Sequence, residues 1–286
     1  MQVISVWNRE NEAHDFSRVL SVLIATIGVI SYPYRISIME NSMSDCMMGD
    51  LMFTGSYSKM LREECFYSVS PGRYNPMVEH ISSRYFKKTH ENLVEIRENK
   101  IYYITQLHDT AREVYNMFLN DNITQYERQA EKLSDAFIIA TEYKNNITSM
   151  RILDDADRVA VILPVNAYKL ERFLDDYASL KEKCIYVFVI KNSLDYQESE
   201  VIREKFYRIK RRIIFLHLTD ELEEAINNGR LMDYVNECYP ASRYSTERNL
   251  IYEIEKLIEF VFSRGGEIVS GLSAPSSMAA KRLLRR

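Results

Sequence analysis

Residues 3–15 have the sequence VISVWNRENEAHD, and a helical pattern follows them directly. The mostly apolar run Val3–Trp7 is typical of a buried strand. Beyond the loop, apolar residues recur every three or four positions, which predicts a helix with a buried stripe. These residues are Phe16, Val19, Leu20, Leu23, Ile24 and Ile27. A second apolar strand, Arg35–Met39, comes next, so the start of the chain predicts a strand–loop–helix–strand unit.

The loop of such a unit is where nucleotide-binding proteins hold phosphates, on backbone N–H groups at the helix N-terminus. Here the loop contains neither glycine nor lysine. A phosphate cradle needs positive φ angles, which glycine tolerates and Glu or His does not. The loop instead carries Glu10, Glu12 and Asp15, which complement the helix dipole. Because like charges ~4 Å apart repel by about 4 kcal/mol at an effective dielectric of about 20, a triphosphate is disfavoured here.

The composition is that of an ordinary globular protein, with 286 residues, 46% hydrophobic and 27% charged. A net charge of −4 gives no global reason to expect nucleic acid or an anionic membrane as a partner. No apolar run is long enough to span a membrane, and the N-terminus lacks the pattern of a signal peptide. The cysteines form no Cys-x-x-Cys pair and are expected to be reduced, buried thiols: Cys46, Cys65, Cys184 and Cys238. These features predict a cytoplasmic protein.

The rest of the chain alternates strands with helices. Five further apolar runs predict strands at 100–105, 136–140, 158–164, 184–190 and 212–216. Helical spacing predicts helices at 110–119, 123–133, 147–156, 167–180, 195–207, 220–228 and 247–262. We expect Asn120-Asp121 to cap the helix at 123–133, and Gly229 to end the helix at 220–228 in the left-handed conformation.

The seven predicted strands are nearly all apolar on both faces, as strands are in parallel sheets covered by helices. The predicted fold class is therefore α/β, a doubly wound, mostly parallel sheet of about seven strands with helices on both faces. One domain is expected over residues 1–263. Residues 264–286 carry glycine, serine and proline and then basic residues, which predicts a flexible tail outside the core.

Several segments together resemble the deviant-Walker ATPases of the ParA/MinD family. They are VISVWN at 3–8, DAFIIAT at 135–141, DDADRVAVILP at 154–164, ELEEA at 221–225 and NGR at 228–230. The resemblance covers residues 1–263 in order and spacing, and it implies a P-loop NTPase-like fold.

The motifs that carry the family's chemistry are degenerate in this sequence. Family members have a glycine-rich Walker A loop with a signature lysine and a phosphate-binding lysine followed by Ser or Thr. Aligning Asn8 with the start of that loop places Glu10 at the signature lysine and Asp15 at the phosphate lysine. Asn11, Glu12 and His14 then occupy positions where the family has glycine. Phe16 occupies the position of the Mg²⁺-ligating hydroxyl.

Two further family positions lie at the ends of strands. The acidic residue that positions the attacking water in the family corresponds to Glu40. The carboxylate that ends the Walker B strand corresponds to Ala140. The resemblance therefore implies a catalytically inactive pseudo-ATPase without a nucleotide cofactor. No metal is expected either, because none of the five histidines has metal-ligand spacing.

A pseudo-ATPase of this kind is predicted to be a scaffold or positioning factor in a bacterial cytoplasmic assembly, of pilus, secretion or partition type, with protein partners. The TadZ/CpaE-like branch of the family, which places such machines at the cell pole, suggests this role. The receiver-like N-terminal domain of those relatives does not appear in this sequence. One alternative is a nucleotide-dependent switch ATPase with an altered pocket, and another is a DNA-associated partition accessory. Homodimerisation stays open, because family dimers pack across ATP.

Two basic segments are candidate partner sites. The first contains Arg203, Lys205, Arg208, Lys210, Arg211 and Arg212. It suits either a solvated helix end or a patch for DNA or an acidic partner. The second, in the C-terminal tail, contains Lys281, Arg282, Leu283, Leu284, Arg285 and Arg286. It is either a disordered tail or a peripheral contact with a partner or the inner face of the membrane.

Overall fold

A computed structural model describes residues 1–9, 16–41, 48–52, 87–90, 93–97, 100–104, 112–141, 147–240 and 246–262. The strands are β1 Gln2–Asn8, β2 Ile36–Asn41, β3 Lys87–His90, β4 Leu93–Arg97, β5 Ile101–Ile104, β6 Ala136–Thr141, β7 Arg158–Leu163, β8 Cys184–Ile190 and β9 Ile213–His217. The helices are α1 Phe16–Ser31, α2 Met48–Met52, α3 Arg112–Leu133, α4 Ile147–Asp155, α5 Ala167–Asp176, α6 Ser193–Lys205, α7 Asp220–Asn227, α8 Leu231–Cys238 and α9 Thr246–Val261. Short 3₁₀ helices, Ala178–Lys183 and Tyr207–Arg212, precede β8 and β9.

The strands form one sheet in the order β3-β4-β5-β2-β6-β1-β7-β8-β9. Strand β4 is antiparallel to both neighbours, and every other pairing is parallel. The fold class predicted from the sequence is confirmed, and the seven predicted strands are the parallel ones. The sheet has nine strands because β3 and β4 extend it. Strand β3 has the polar sequence KKTH, which carries no apolar run by which it could be recognised.

Helices cover the two faces of the sheet. Helices α1, α2, α7, α8 and α9 pack with the side chains of one face, and α3 to α6 pack with the other. Helix α1 packs on the sheet and is covered in turn by α8 and α9, so it is buried from Phe16 to Val29. This second layer explains why the helix is apolar nearly all round rather than along one stripe.

One prediction about the helices was wrong, and one helix was missed. Residues 112–133 form a single helix that runs through Asn120 and Asp121 rather than two helices with a cap between them. Leu119, Ile123, Tyr126 and Ala130 are all buried, so one continuous face at helical spacing holds the helix together. Helix α8 was not predicted at all.

Cys184 and Cys238 are both buried, as predicted. Burial raises the pKa of the Cys184 thiol to about 12, against a smaller opposing effect of Lys183 and Arg212. This thiol is therefore protonated and unreactive at neutral pH. Cys46 and Cys65 lie outside the described residues. In the described part of the chain, no helix is long and apolar enough to cross a membrane.

Helix α7 ends as predicted, with Gly229 at a φ of 64°. The Arg230 N–H donates to the Ala225 carbonyl at 2.8 Å and the Gly229 N–H to the Ile226 carbonyl at 3.3 Å, which is the Schellman arrangement. We expect Gly229→Ala to lower the free energy of unfolding by about 1–2 kcal/mol, because a Cβ disfavours the left-handed conformation. Gly229→Asn should cost less. Urea denaturation measures both, and equal stability of Gly229→Ala and wild type would contradict the assignment.

Candidate functional site at the carboxyl edge of the sheet

The candidate site lies at the carboxyl ends of the parallel strands, where α/β proteins bind ligands. Strand β1 is central and ends there at Asn8, and helix α1 begins at Phe16. Both side chains are buried. The loop predicted to be a degenerate Walker A motif lies between them. Its residues Glu10, Asn11, Glu12, His14 and Asp15 fall outside the described residues, so their assignment stays a prediction.

Glu40 lies at the carboxyl end of β2, and its side chain is only 1% exposed. The Arg18 Nε lies 2.8 Å from Oε2 of Glu40, and the Tyr103 hydroxyl donates to Oε1 at 2.5 Å. The backbone N–H of Met48 donates to both carboxylate oxygens, at 3.0 and 3.1 Å. We call these four residues the Glu40 cluster.

Strand alternation and helix position explain how the Glu40 cluster forms. Glu40 points to the same face of β2 as Ile36 and Ile38, because side chains alternate along a strand. That is the face covered by α1, whose first turn carries Arg18. A buried carboxylate needs a cation and hydrogen-bond donors to offset its lost hydration. The other three residues of the Glu40 cluster therefore pair with the Glu40 carboxylate inside the protein, where it is shielded from solvent.

Ala140 is next to Glu40 in the sheet register, on β6, and is 1% exposed. Its methyl group belongs to the apolar core under α1. The polar groups beside it bond to each other, since Thr141 Oγ1 lies 2.7 Å from Ser5 Oγ and Asn41 Nδ2 donates to Ser149 Oγ at 3.0 Å. Across the described ranges, no group of three His, Cys, Asp or Glu side chains is placed to hold a metal ion.

A groove of about 320 Å³ opens at the same edge, between α1, α7 and the ends of β7, β8 and β9. We call it the edge groove. Its apolar wall includes Phe16, Val19, Leu163, Val189, Leu218 and Ile226. Among the described residues, its charged lining consists of Lys191, Asp195 and Glu223. Two carboxylates against one ammonium make the charged part of this lining acidic.

Among the described residues, the N-termini of α5, α6 and α7 at this edge are capped by side chains of the protein itself. Asn192 Oδ1 accepts from the backbone N–H groups of Leu194 and Asp195, at 2.9 and 3.0 Å. Asn166 and Thr219 cap α5 and α7 in the same way. These backbone donors would be the natural ligands of a phosphate, and here side chains of the same chain already occupy them.

The basic segment lies elsewhere. Arg203 and Lys205 are in the last turn of α6, and the remaining four cations are in the 3₁₀ helix that precedes β9. The segment therefore lies at the amino edge of the sheet, opposite the edge groove. Carboxylates pair with three of the cations: Arg203 with Glu200 at 3.1 Å, Lys205 with Glu171 at 2.8 Å and Arg212 with Glu182 at 3.2 Å. The tail cations from Lys281 to Arg286 lie outside the described residues.

Solved structures similar to this chain share its architecture almost end to end. A ParA family ATPase from Chlorobium tepidum TLS has a TM-score of 0.59 at 10% identity, covering 92% of this chain and 98% of that one. A MinC:MinD cell division protein complex from Aquifex aeolicus has a TM-score of 0.55 at 11% identity, with coverages of 90% and 96%. A plasmid partition protein from Borrelia burgdorferi, bound to AMPPNP, has a TM-score of 0.55 at 12% identity, with coverages of 91% and 97%.

Identities this low show the fold alone. The chain has the fold of the ParA/MinD ATPases, which confirms the predicted P-loop NTPase-like architecture. Neither a protein-family model nor a curated protein matches the sequence.

The sequence analysis singled out Glu40 but missed its partners. One signal was present, because Arg18 is the only charged residue in the apolar stretch Phe16–Ile30. A cation on a helix with no polar face needs a buried acidic partner. The edge groove gave no such signal, since its walls come from segments more than one hundred residues apart.

We expect Glu40→Gln to lower the free energy of unfolding by about 3–5 kcal/mol, because it breaks a buried ion pair. Tyr103→Phe removes a hydrogen bond to a charged group and should cost about 1.5–3 kcal/mol. Urea denaturation at neutral pH measures both changes.

Glu237→Gln is the matched control, because Glu237 pairs with Arg230 at 3.1 Å on the surface. Exposed pairs contribute at most about 1 kcal/mol. Losses for Glu40→Gln no larger than for Glu237→Gln would contradict a stabilising role of the Glu40 cluster. If Glu40→Gln does not fold, Tyr103→Phe still provides the comparison.

Proposed function

We propose that this chain is a pseudo-ATPase of the ParA/MinD fold that works as a scaffold or positioning factor through protein partners. The observation that carries the proposal is the Glu40 cluster. The acidic residue at the position of the water-positioning carboxylate is buried and engaged by Arg18, Tyr103 and the Met48 N–H. A carboxylate held in this way does not contact a water molecule that attacks a phosphate.

Other features of the carboxyl edge support the same proposal. Ala140 supplies a methyl group where the family's Walker B strand ends in a carboxylate. The described lining residues of the edge groove carry more negative than positive charge, which opposes a polyphosphate. The helix caps supplied by Asn166, Asn192 and Thr219 use donors that an anion would need.

The proteins with the same fold support the class of function. Their names describe a ParA family ATPase, a MinC:MinD cell division complex and a plasmid partition protein. We infer that this chain belongs to the same broad class of positioning proteins. Its assembly is of partition, pilus or secretion type in the bacterial cytoplasm or at the inner face of the membrane.

We expect Mg-ATP, Mg-ADP and Mg-GTP not to bind up to millimolar concentration, and no ATP hydrolysis above the buffer rate. Isothermal titration calorimetry measures binding directly, and thermal unfolding checks it independently. A nucleotide at about one hundred times its Kd stabilises a protein by about 2.7 kcal/mol, so even micromolar binding would be visible. Micromolar binding would overturn the proposal in favour of a nucleotide-dependent switch with an altered pocket.

Glu223→Lys sharpens this test, because it replaces an acidic residue of the edge groove by a cation. Glu204→Lys is the matched control, since it changes the net charge equally at the last turn of α6, near the opposite edge. Weak nucleotide binding in the edge groove would be strengthened by Glu223→Lys and left unchanged by Glu204→Lys. We expect no binding to either variant.

A further inference from the structure

The edge groove combines an apolar wall with the carboxylates of Asp195 and Glu223, which we call its acidic lip. Leu194, which follows the groove residue Asn192, is 72% exposed, although it is a large apolar side chain in the first turn of α6. Apolar surface next to a concave site is typical of a binding surface. The structure therefore presents an apolar groove with an exposed leucine beside it.

Helix α7 carries further negative charge beside the groove residue Glu223. This helix carries Asp220, Glu221, Glu223 and Glu224, all exposed. None of these carboxylates forms an ion pair within the described part of the chain. The helix dipole accounts for acidic residues in the first turn, but it does not account for Glu224 or for the acidic lining of the groove. Charge complementarity therefore predicts an occupant with cations next to apolar side chains.

We propose that the edge groove is the docking site of the chain's own C-terminal segment, residues 277–286. This segment has the sequence SMAAKRLLRR, with four cations, no acidic residue and the apolar side chains Met278, Leu283 and Leu284. Leu283 and Leu284 enter the apolar part of the groove. The flanking cations lie against the carboxylates of Asp195 and α7.

The position of the last helix makes this docking geometrically accessible. Helix α9 packs against α1 on the face that carries the groove. It ends beside the start of β1, because the Gln2 side-chain amide donates to the Val261 carbonyl. The seven residues of β1 span ~23 Å from this amino edge to the carboxyl edge. The chain from Phe262 to Lys281 can extend over ~60 Å, which is more than enough to reach the groove.

Two other occupants fit less well. A second copy that docked groove to groove would bring its own acidic lip, and like charges would repel. A polyphosphate would meet the same carboxylates. Docking of the tail deepens the proposed function, because it names what fills the groove of a protein that binds no nucleotide.

Limited chymotrypsin digestion of the full-length chain, without nucleotide, tests the docking. Chymotrypsin cleaves after leucine, so mass spectrometry of the released C-terminal peptides reports the exposure of Leu283 and Leu284. Proteolysis tracks the population of the open segment. We expect Glu223→Lys to increase the initial cleavage rate by about fivefold or more, and Glu204→Lys to leave it unchanged.

A charge swap provides the specific control. Arg282→Glu with Arg285→Glu should expose the tail, and adding Glu223→Lys should restore protection relative to that double variant. These two chains have the same tail sequence, so their intrinsic susceptibility to chymotrypsin is equal. Equal cleavage of wild type and Glu223→Lys, or no restoration in the triple variant, would overturn the proposal.

Protein concentration separates docking in cis from docking on a second copy. Protection that is independent of concentration supports the proposal. Protection that appears only as concentration rises, together with dimers in sedimentation, would overturn it in favour of exchange between copies. The result is also independent of the nucleotide titration. If the chain binds Mg-ATP but its tail resists chymotrypsin without nucleotide, only the pseudo-ATPase proposal is overturned.

Discussion

The structure at the carboxyl edge depends on one buried ion pair, between Glu40 and Arg18. A carboxylate in the interior costs several kcal/mol unless a cation and donors surround it. This requirement fixes the first turn of α1 over the end of β2. It also places Tyr103 of β5 and the Met48 N–H within hydrogen-bond distance of the carboxylate. Four elements, α1, α2, β2 and β5, thereby meet at the Glu40 carboxylate. In this chain, the charge at that position is buried and paired within the protein.

Much of the fold could be predicted because its signals are local. Strands buried on both faces appear as short continuous apolar runs, and helices between them have the 3.6-residue period. The failures were also local in origin. Strand β3 is polar, so only its pairing with β4 identifies it. Asn120 and Asp121 resemble a helix cap, but the buried face from Leu119 to Ala130 continues through them and outweighs that preference.

The candidate site was harder to predict, because its parts come together only in three dimensions. The resemblance to a known family located Glu40 and Ala140, yet it gave no indication that Arg18 and Tyr103 surround the carboxylate. The position of Arg18 in an apolar helix was the one usable signal. The edge groove draws on segments from Asn8 to Asn227, and no pattern in the sequence connects them. The sign of the charge on each segment could be predicted from its residues, whereas the distances between the segments in the fold could not.

The electrostatics of the carboxyl edge differ from those expected of a parallel α/β sheet. In that architecture the N-termini of several helices meet at one edge, and their free N–H groups and dipoles favour anions. Here Asn166, Asn192 and Thr219 accept hydrogen bonds from N–H groups of α5, α6 and α7. Three carboxylates then add negative charge to the first turn of α7, whereas the capping side chains are neutral: Asp220, Glu221 and Glu223. Because these donors are satisfied and carboxylates lie in the first turns of α6 and α7, this part of the edge disfavours phosphates. The same sheet geometry therefore presents negative charge along α7, and on that charge rests our proposal of a basic polypeptide segment as the ligand.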